Sequence, residues 1–95
     1  MLIAGRRTVY SPNSFAELVF GQVPKRVEGP EHDLKYWLAY VVDEVCVVRY
    51  ENEIGKGDYR HFGVLESNYK FASPEKLIID FQKDIAKWNH ENSHS

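Results

Sequence analysis

The sequence has few of the features that mark secreted, membrane-spanning or strongly basic proteins. Cys46 is its one cysteine in 95 residues, so no internal disulfide can form and we expect a reducing, cytoplasmic location. Its apolar neighbours predict a buried, unreactive thiol. No run of about 18 apolar residues is present, and only three apolar or small residues separate Met1 from Gly5, so neither a membrane span nor a signal sequence is expected.

The charge balance also excludes a class of protein. The formal net charge is −2, whereas a domain that holds duplex nucleic acid through its overall field is usually strongly basic. Any contact with RNA must therefore be local.

Large apolar side chains are plentiful, at 43% hydrophobic and 14% aromatic residues. A chain of this length has room for one core. We therefore expect a single domain over residues 1–95, in which residues 1–14 form a short strand or a loosely ordered arm and residues 91–95 a frayed tail.

Alternating apolar and polar side chains predict strands in the first half of the chain. They cover Phe15 to Val23, Lys35 to Val42 and Val45 to Tyr50, and the second has apolar side chains on both faces, which predicts a strand covered on both sides. Asp43-Glu44 is a turn candidate between the last two strands. Because glutamate disfavours positive φ, we expect a turn longer than two residues.

The second half predicts two further short strands and one connection. The strand candidates are Tyr59 to Leu65 and Tyr69 to Phe71, on either side of a turn at Glu66-Ser67-Asn68. Lys25 to Asp33, with its mixed charges and its proline and glycine, is typical of a surface connection.

The C-terminal part changes to helical periodicity. Ser73 is a natural N-cap, Pro74 a natural first helical residue and Glu75 a favourable anion in the first turn. The predicted apolar stripe is Leu77, Ile78, Phe81, Ile85 and Trp88, and the predicted solvent-facing residues are Lys76, Asp80, Lys83, Asp84 and Lys87. These patterns predict an α+β fold in which an antiparallel β-sheet of about four to six strands packs against one C-terminal amphipathic helix.

The densest polar segment runs from Glu51 to His61. It holds three carboxylates, two cations, an amide, a histidine and two glycines. Phosphodiester cleavage by a neighbouring 2′-hydroxyl needs a base, an acid for the departing oxygen and cations for the developing charge, and the segment supplies each type. In an extended strand, Tyr59 and His61 would face one side and Asp58 and Arg60 the other, so a bulge or help from elsewhere would be needed to gather them at one phosphate.

Simpler interpretations of the polar residues remain open. The segment can be a glycine turn with solvated charges, in which Arg60 pairs with Asp58 or Glu53. Gly55-Lys56-Gly57 lacks the spacing of a P-loop. The string from His90 to His94 matches the zinc-protease pattern but lies beyond the last apolar helix position with nothing to enclose a metal, so neither a metal site nor a cofactor is predicted.

The order of these segments resembles a known family. The runs that carry the likeness are Leu34 to Val41, Val48 to Glu53, Gly55 to His61, Tyr69 to Phe71 and Leu77 to Asp84. They resemble the TumE family, small proteins treated as the toxin component of bacterial and archaeal type II toxin-antitoxin pairs. The resemblance implies a toxin and a cognate antitoxin, of the helix-turn-helix type, as partner.

Two positions depart from the family pattern. The family usually has aspartate where Glu51 stands and histidine where Tyr59 stands, so that a His-Arg-His triplet is Tyr59-Arg60-His61 here. If two histidines form the acid–base pair in the family, Glu53 or Asp58 would have to serve as base in this chain.

The leading hypothesis is therefore a metal-independent ribonuclease toxin. His61 would be the general acid and Glu53 the general base, with Lys56 and Arg60 on the phosphate, and Asp58 as the alternative base. The predicted substrate-binding residues are Tyr59, Tyr50 and Asn52.

Two alternatives stay open. One is a metal-dependent nuclease or nucleotidyl transferase that uses Glu51, Glu53 and Asp58 around Mg²⁺. The other is a non-catalytic module that binds the antitoxin. The expected partners are the antitoxin and an RNA substrate, with no membrane, and a homodimer is left open.

Overall fold

The computed structural model describes residues 2–22, 34–53 and 56–92 as six strands and one helix. The strands are β1 (Leu2–Ser11), β2 (Ser14–Gln22), β3 (Leu34–Val42), β4 (Val45–Glu53), β5 (Gly57–Phe62) and β6 (Leu65–Asn68), and the helix is α1 (Pro74–Glu91). The α+β prediction is confirmed. The predicted connection over Lys25 to Asp33 lies outside the described residues, as do residues 93–95 of the predicted tail.

The strands form one antiparallel sheet in which spatial order follows chain order, β1-β2-β3-β4-β5-β6. Each strand thus pairs with the one that follows it. In the described part of the chain, no helix combines the length and hydropathy needed to cross a membrane.

The helix covers one face of this sheet, which we call the helix face. Tyr36, Leu38 and Tyr40 of β3 are buried there, and Trp88 of α1 meets Tyr40 edge to face with ring centroids 6.3 Å apart. The opposite face, which we call the open face, carries Trp37 with 36% exposure. The expectation that β3 is covered on both sides is therefore wrong at Trp37.

The β3–β4 hairpin turns through two residues, contrary to the expectation of a longer turn. Asp43 and Glu44 both have positive φ, at 51° and 67°, as a two-residue hairpin turn requires. The neighbouring β1–β2 turn holds them, because the Asp43 amide donates to the Asn13 carbonyl at 2.9 Å and the Asn13 amide group donates to the Asp43 carboxylate at 2.5 Å.

The β5–β6 hairpin turns earlier than predicted. Its turn is Gly63-Val64, with Gly63 at φ 60°, and the predicted turn residues Glu66, Ser67 and Asn68 lie in β6. Tyr69 to Phe71 is not a strand. The glycine supplies the positive φ, while the apolar residues around it had suggested an uninterrupted strand.

The helix begins as its sequence predicts. Pro74 is its first residue, and the Lys76 amide donates to the Ser73 hydroxyl oxygen at 3.1 Å. Leu77, Phe81 and Ile85 are buried against the sheet.

Two sequence-based burial predictions are wrong. Asp84, expected in solvent, is 8% exposed on the buried side of α1, where it accepts hydrogen bonds from the sheet. Cys46, expected in the core, is exposed, because it lies next to the β3–β4 turn, where β4 carries the bulge that shifts its register.

Candidate functional site

Strand β5 divides the polar segment between the two faces of the sheet. Tyr59 lies opposite Glu51 of β4 and His61 opposite Arg49, whereas Arg60 lies opposite Tyr50. The β4–β5 register runs without a shift from Val48↔Phe62 to Glu53↔Gly57. The predicted alternation of β5 is confirmed, and no bulge gathers its side chains.

On the open face, His61 is the centre of a cluster of charged side chains. Its Nε2 lies 2.9 Å from Oε2 of Glu51, and its Nδ1 lies 3.4 Å from Oε1 of Glu66. The Arg49 Nε donates to the same Glu51 oxygen at 3.1 Å, and its Nη2 lies 3.4 Å from His61 Nε2. We call Arg49, Glu51, His61 and Glu66 the His61 cluster.

The His61 cluster is shielded but reachable from solvent. The side chains of His61, Glu51 and Arg49 are 19%, 27% and 35% exposed, and that of Glu66 is 62% exposed. Both ring nitrogens of His61 face carboxylate oxygens, so a protonated ring would have a partner for each N–H. The cluster therefore places two carboxylates and a guanidinium within 3.4 Å of one imidazole ring.

Three other predicted site residues lie next to this cluster at the end of the β4–β5 hairpin. Glu53 follows Glu51 by two residues on β4 and therefore lies on the same face of the sheet. Its carboxylate forms an ion pair with the Lys56 ammonium at 3.5 Å. The Tyr59 hydroxyl donates to the Lys56 carbonyl at 2.8 Å. These residues form the edge of the candidate site, and the Glu53 and Lys56 side chains are more than half exposed.

Arg60 lies on the helix face, away from His61. Its Nε and Nη2 donate to the two Asp84 oxygens at 2.6 and 2.9 Å, and the Tyr50 hydroxyl donates to the same carboxylate at 2.6 Å. The hydrogen bond to Asp84 raises the pKa of the Arg60 guanidinium against the opposing effect of burial. Burial, and then the hydrogen bond to Asp84, raise the pKa of the Tyr50 phenol. This network joins β4 and β5 to the helix.

The side chains of Asp58 and Asn52 also lie on the helix face, where both are bonded to Tyr36. The Tyr36 hydroxyl donates to Asp58 at 2.6 Å, and burial followed by this bond raises the pKa of Tyr36. The Asn52 amide group accepts from the Tyr36 amide at 2.9 Å and donates to the Leu34 carbonyl at 2.6 Å. Tyr50 and Asn52, two of the three predicted substrate-binding residues, are only 2% and 8% exposed and are therefore buried.

Sequence reasoning did not assign Arg49 or Glu66 to the site, and it gave Glu51 a role only as a ligand in the Mg²⁺ alternative. The signal for Arg49 was present in the strand pairing, because paired residue numbers in an antiparallel hairpin sum to a constant, and in the β4–β5 hairpin this sets His61 opposite Arg49. Glu66 was hidden by the misplaced β5–β6 turn.

The carboxylates proposed to surround Mg²⁺ do not share one side of the sheet. Glu51 faces the open side, whereas Asp58 is bonded to Tyr36 on the other. In residues 2–22, 34–53 and 56–92, no group of three or more His, Cys, Asp or Glu side chains has the arrangement to hold a metal ion.

Comparison with known proteins gives one match. A family model described as Toxin TumE matches residues 3–89, which includes the sheet and nearly all of α1. Comparisons with curated proteins and with solved structures each found no match. The family match confirms the resemblance drawn from the sequence.

Proposed function

The chain belongs to the Toxin TumE family, and from this membership we propose that it is a toxin that cleaves RNA without a metal ion. The observation that carries the proposal is the His61 cluster, in which an imidazole lies between two carboxylates and next to a guanidinium on an uncovered sheet face.

The proposed reaction is attack of a ribose 2′-oxygen on the adjacent phosphorus. Glu51 takes the proton of the 2′-hydroxyl, a bond forms between the 2′-oxygen and phosphorus, and the bond from phosphorus to the 5′-oxygen breaks. Protonated His61 gives its proton to the departing 5′-oxygen. The products are a 2′,3′-cyclic phosphate and a free 5′-hydroxyl.

Arg49 takes the phosphate-binding role in this proposal. Its guanidinium already lies within 3.1 Å of Glu51 and 3.4 Å of His61, so a phosphate oxygen bound to Arg49 would sit beside both proton-transfer groups. Developing negative charge on that oxygen is then stabilised by a fixed donor. Lys56, with a 70% exposed side chain, supplies a second cation at the edge of the site.

Glu51 replaces Glu53 as the proposed base, for a geometric reason. The Glu51 carboxylate contacts His61 directly, while the described ion-pair partner of Glu53 is Lys56. The 2.9 Å contact between Glu51 and His61 must open when a substrate enters, since a base and an acid need the phosphate between them. Arg60 has no role in the proposed chemistry, because its Nε and Nη2 donate to Asp84 on the helix face, on the opposite side of the sheet from His61.

The family assignment also supports a protein partner. We propose that an antitoxin binds the chain and blocks the open face, which would stop cleavage without unfolding the toxin. Antitoxin binding and cleavage would then compete, and the competition can be measured with the purified pair.

The test uses purified wild type, His61→Ala and Glu51→Gln with a 5′-labelled single-stranded RNA. Each variant should reduce the rate by about 100-fold or more, because general acid–base groups typically contribute that much. Glu17→Gln is the matched control, since Glu17 lies on the same open face but pairs with Arg7 at 3.1 Å, two strands away from Arg49. It should cleave as wild type.

Three outcomes decide the proposal. Cyclic phosphate ends that form in the presence of EDTA support it. Activity that EDTA abolishes would favour the metal-dependent alternative. Growth arrest by both wild type and His61→Ala, with intact cellular RNA, would show that toxicity does not come from RNA cleavage.

A further inference from the structure

We propose that Trp37 is the base-stacking residue of the open face and selects single-stranded RNA as the ligand of the His61 cluster. The inference deepens the proposed function and rests on it for the identity of the ligand. It starts from an apolar side chain whose exposure the fold does not require.

Trp37 is a large aromatic residue in the middle of a central strand. It is 36% exposed on the open face, whereas Tyr36 and Leu38, its neighbours on β3, are fully buried under the helix. No ring contact involves Trp37 among the described residues. An exposed indole at the centre of a sheet costs free energy that a bound apolar surface would recover.

The position of Trp37 relates it to the candidate site by register. Trp37 pairs with Glu51 on β4, and Glu51 pairs with Tyr59 on β5. The three side chains therefore form one row across the open face, with the two aromatic residues about 10 Å apart at the usual strand spacing. Arg49 and His61 lie in the next row on the same face.

The chemistry of this arrangement fits a nucleotide chain. A nucleotide presents a flat base and an anionic phosphate, and here an indole lies one strand away from the guanidinium of Arg49. Sheet-borne aromatic side chains that stack unpaired bases are a recurring mode of single-stranded RNA recognition. Bases in a duplex are already stacked on one another, so duplex RNA should not use Trp37.

If RNA binds the open face, the charge of that face gives it little long-range attraction. Glu17, Glu51, Glu53 and Glu66 offset the positive charges of Arg7, Lys35, Arg49 and Lys56 there, so the face has no strong field to attract a polyanion. With weak long-range attraction, affinity must come from short-range contacts. Removing one base–aromatic stack typically weakens binding by about 10-fold.

The experiment measures binding with an RNA that cannot be cleaved by the proposed reaction. The probe is a labelled single-stranded oligonucleotide with 2′-O-methyl riboses, which lacks the attacking hydroxyl. In a Trp88→Phe background, where Trp37 is the one tryptophan, the probe should quench the emission of Trp37, and a duplex of the same length should not.

Three variants then test the stacking role by fluorescence anisotropy of the probe. Trp37→Leu should weaken binding by about 10-fold, while Trp37→Phe, which keeps an aromatic face, should lose only a few-fold. The matched control is Tyr10→Leu, an aromatic residue that is 45% exposed on the helix face beside Tyr40. It should bind as wild type.

The outcomes separate this inference from the proposed cleavage. If Trp37→Leu and wild type bind the probe equally, or saturating probe leaves the emission of Trp37 unchanged, the inference is overturned even where His61→Ala abolishes cleavage. If the probe binds through Trp37 but wild type cleaves no RNA, the inference stands and the cleavage proposal fails. An antitoxin that shields Trp37 while RNA does not would assign the surface to protein binding and overturn it.

Discussion

The contact between Arg60 and Asp84 allows the structural and catalytic explanations of Arg60 to be separated by experiment. Asp84 has a side chain that is 12% exposed and accepts two hydrogen bonds from Arg60, whose side chain is 30% exposed. We predict that Asp84→Leu destabilises the domain because it leaves a guanidinium beside apolar surface without its partner.

The magnitude follows from the burial of the two partners. Breaking a fully buried pair costs about 3–5 kcal/mol. Because Arg60 can still reach water through its exposed edge, we expect the lower value of about 2–3 kcal/mol. The double variant Arg60→Met with Asp84→Leu should cost less than the sum of the two single variants, since it removes both charges together. A domain with about 5–15 kcal/mol of stability stays folded in each case.

The assay is urea unfolding of the four proteins of the double-mutant cycle, followed by far-UV circular dichroism. The coupling energy should be about 1.5 kcal/mol or more. The surface pair Arg7–Glu17, whose side chains are 57% and 34% exposed, is the control and should give below about 1 kcal/mol. A coupling for Arg60 and Asp84 as small as that of the control would refute the structural role.

The same variants test function. If Arg60 serves the fold and not the reaction, the folded double variant keeps its growth inhibition and its RNA cleavage. Loss of both, in a protein that unfolds cooperatively near the wild-type urea midpoint, would return Arg60 to the active site.

Three further predictions concern stability. Glu44→Gly should stabilise the domain by about 0.5 kcal/mol in urea unfolding, because Glu44 has φ 67° and glycine adopts that angle without strain; Glu44→Ala, which keeps the strain, should not. Burial raises the pKa of Asp80, but its hydrogen bonds from Lys76 and Tyr69 outweigh burial and lower it. The ionised Asp80 carboxylate therefore stabilises the domain above about pH 4, and this stabilisation is lost as the pH falls through the lowered pKa. Asp80→Asn should reduce the free energy of unfolding by about 1–2 kcal/mol at pH 7 and by almost nothing near pH 2. An equal loss at both pH values would contradict this prediction. Burial, and then hydrogen bonds to carboxylates, raise the pKa of the Tyr50 and Tyr69 phenols. The protonated phenols therefore stabilise the domain fully below about pH 10, and this stabilisation is lost above it. Absorbance at 295 nm should show these phenols ionising only as the domain unfolds in alkali, whereas the tyrosines of the urea-unfolded chain should titrate near pH 10.

Local patterns predicted β2, β3, β4, most of β5 and the helix, because each of these elements has a periodicity of its own, whereas β6 was predicted as a turn. The helix start at Ser73 and Pro74 was predicted from capping chemistry alone. The β5–β6 turn was misplaced because apolar residues on both sides of Gly63 hide its one signal for positive φ.

The buried position of Asp84 was also readable in principle. It follows Phe81 by three residues and Leu77 by seven, so it lies on the apolar stripe of α1. A carboxylate on that stripe needs a buried partner. Its partner could not be found from the helix alone, because Arg60 lies on a strand 24 residues earlier.

The candidate site depended on information that no single segment contains. Strand parity separated His61 from Arg60 at the level of sequence, but it did not say which side α1 would cover. The face that α1 covers decides which of Arg60 and His61 lies under the helix and which can contact a ligand. Because the rings of Tyr50 and Phe81 meet on the helix face with centroids 6.1 Å apart, the residues of the opposite alternation beyond the β4 bulge, Arg49, Glu51, Tyr59 and His61, are left on the open face.

Adjacent residues of β5 can therefore serve different ends without competing. Arg60 is bonded to the helix through Asp84, while His61 lies on the open face on the other side of the same backbone. A one-residue deletion between β4 and β5 that slipped β5 by one residue would exchange their faces, which would place His61 under α1 and Arg60 on the open face. Such a slip would cost stability and the proposed chemistry together, so the number of residues between β4 and β5 constrains both.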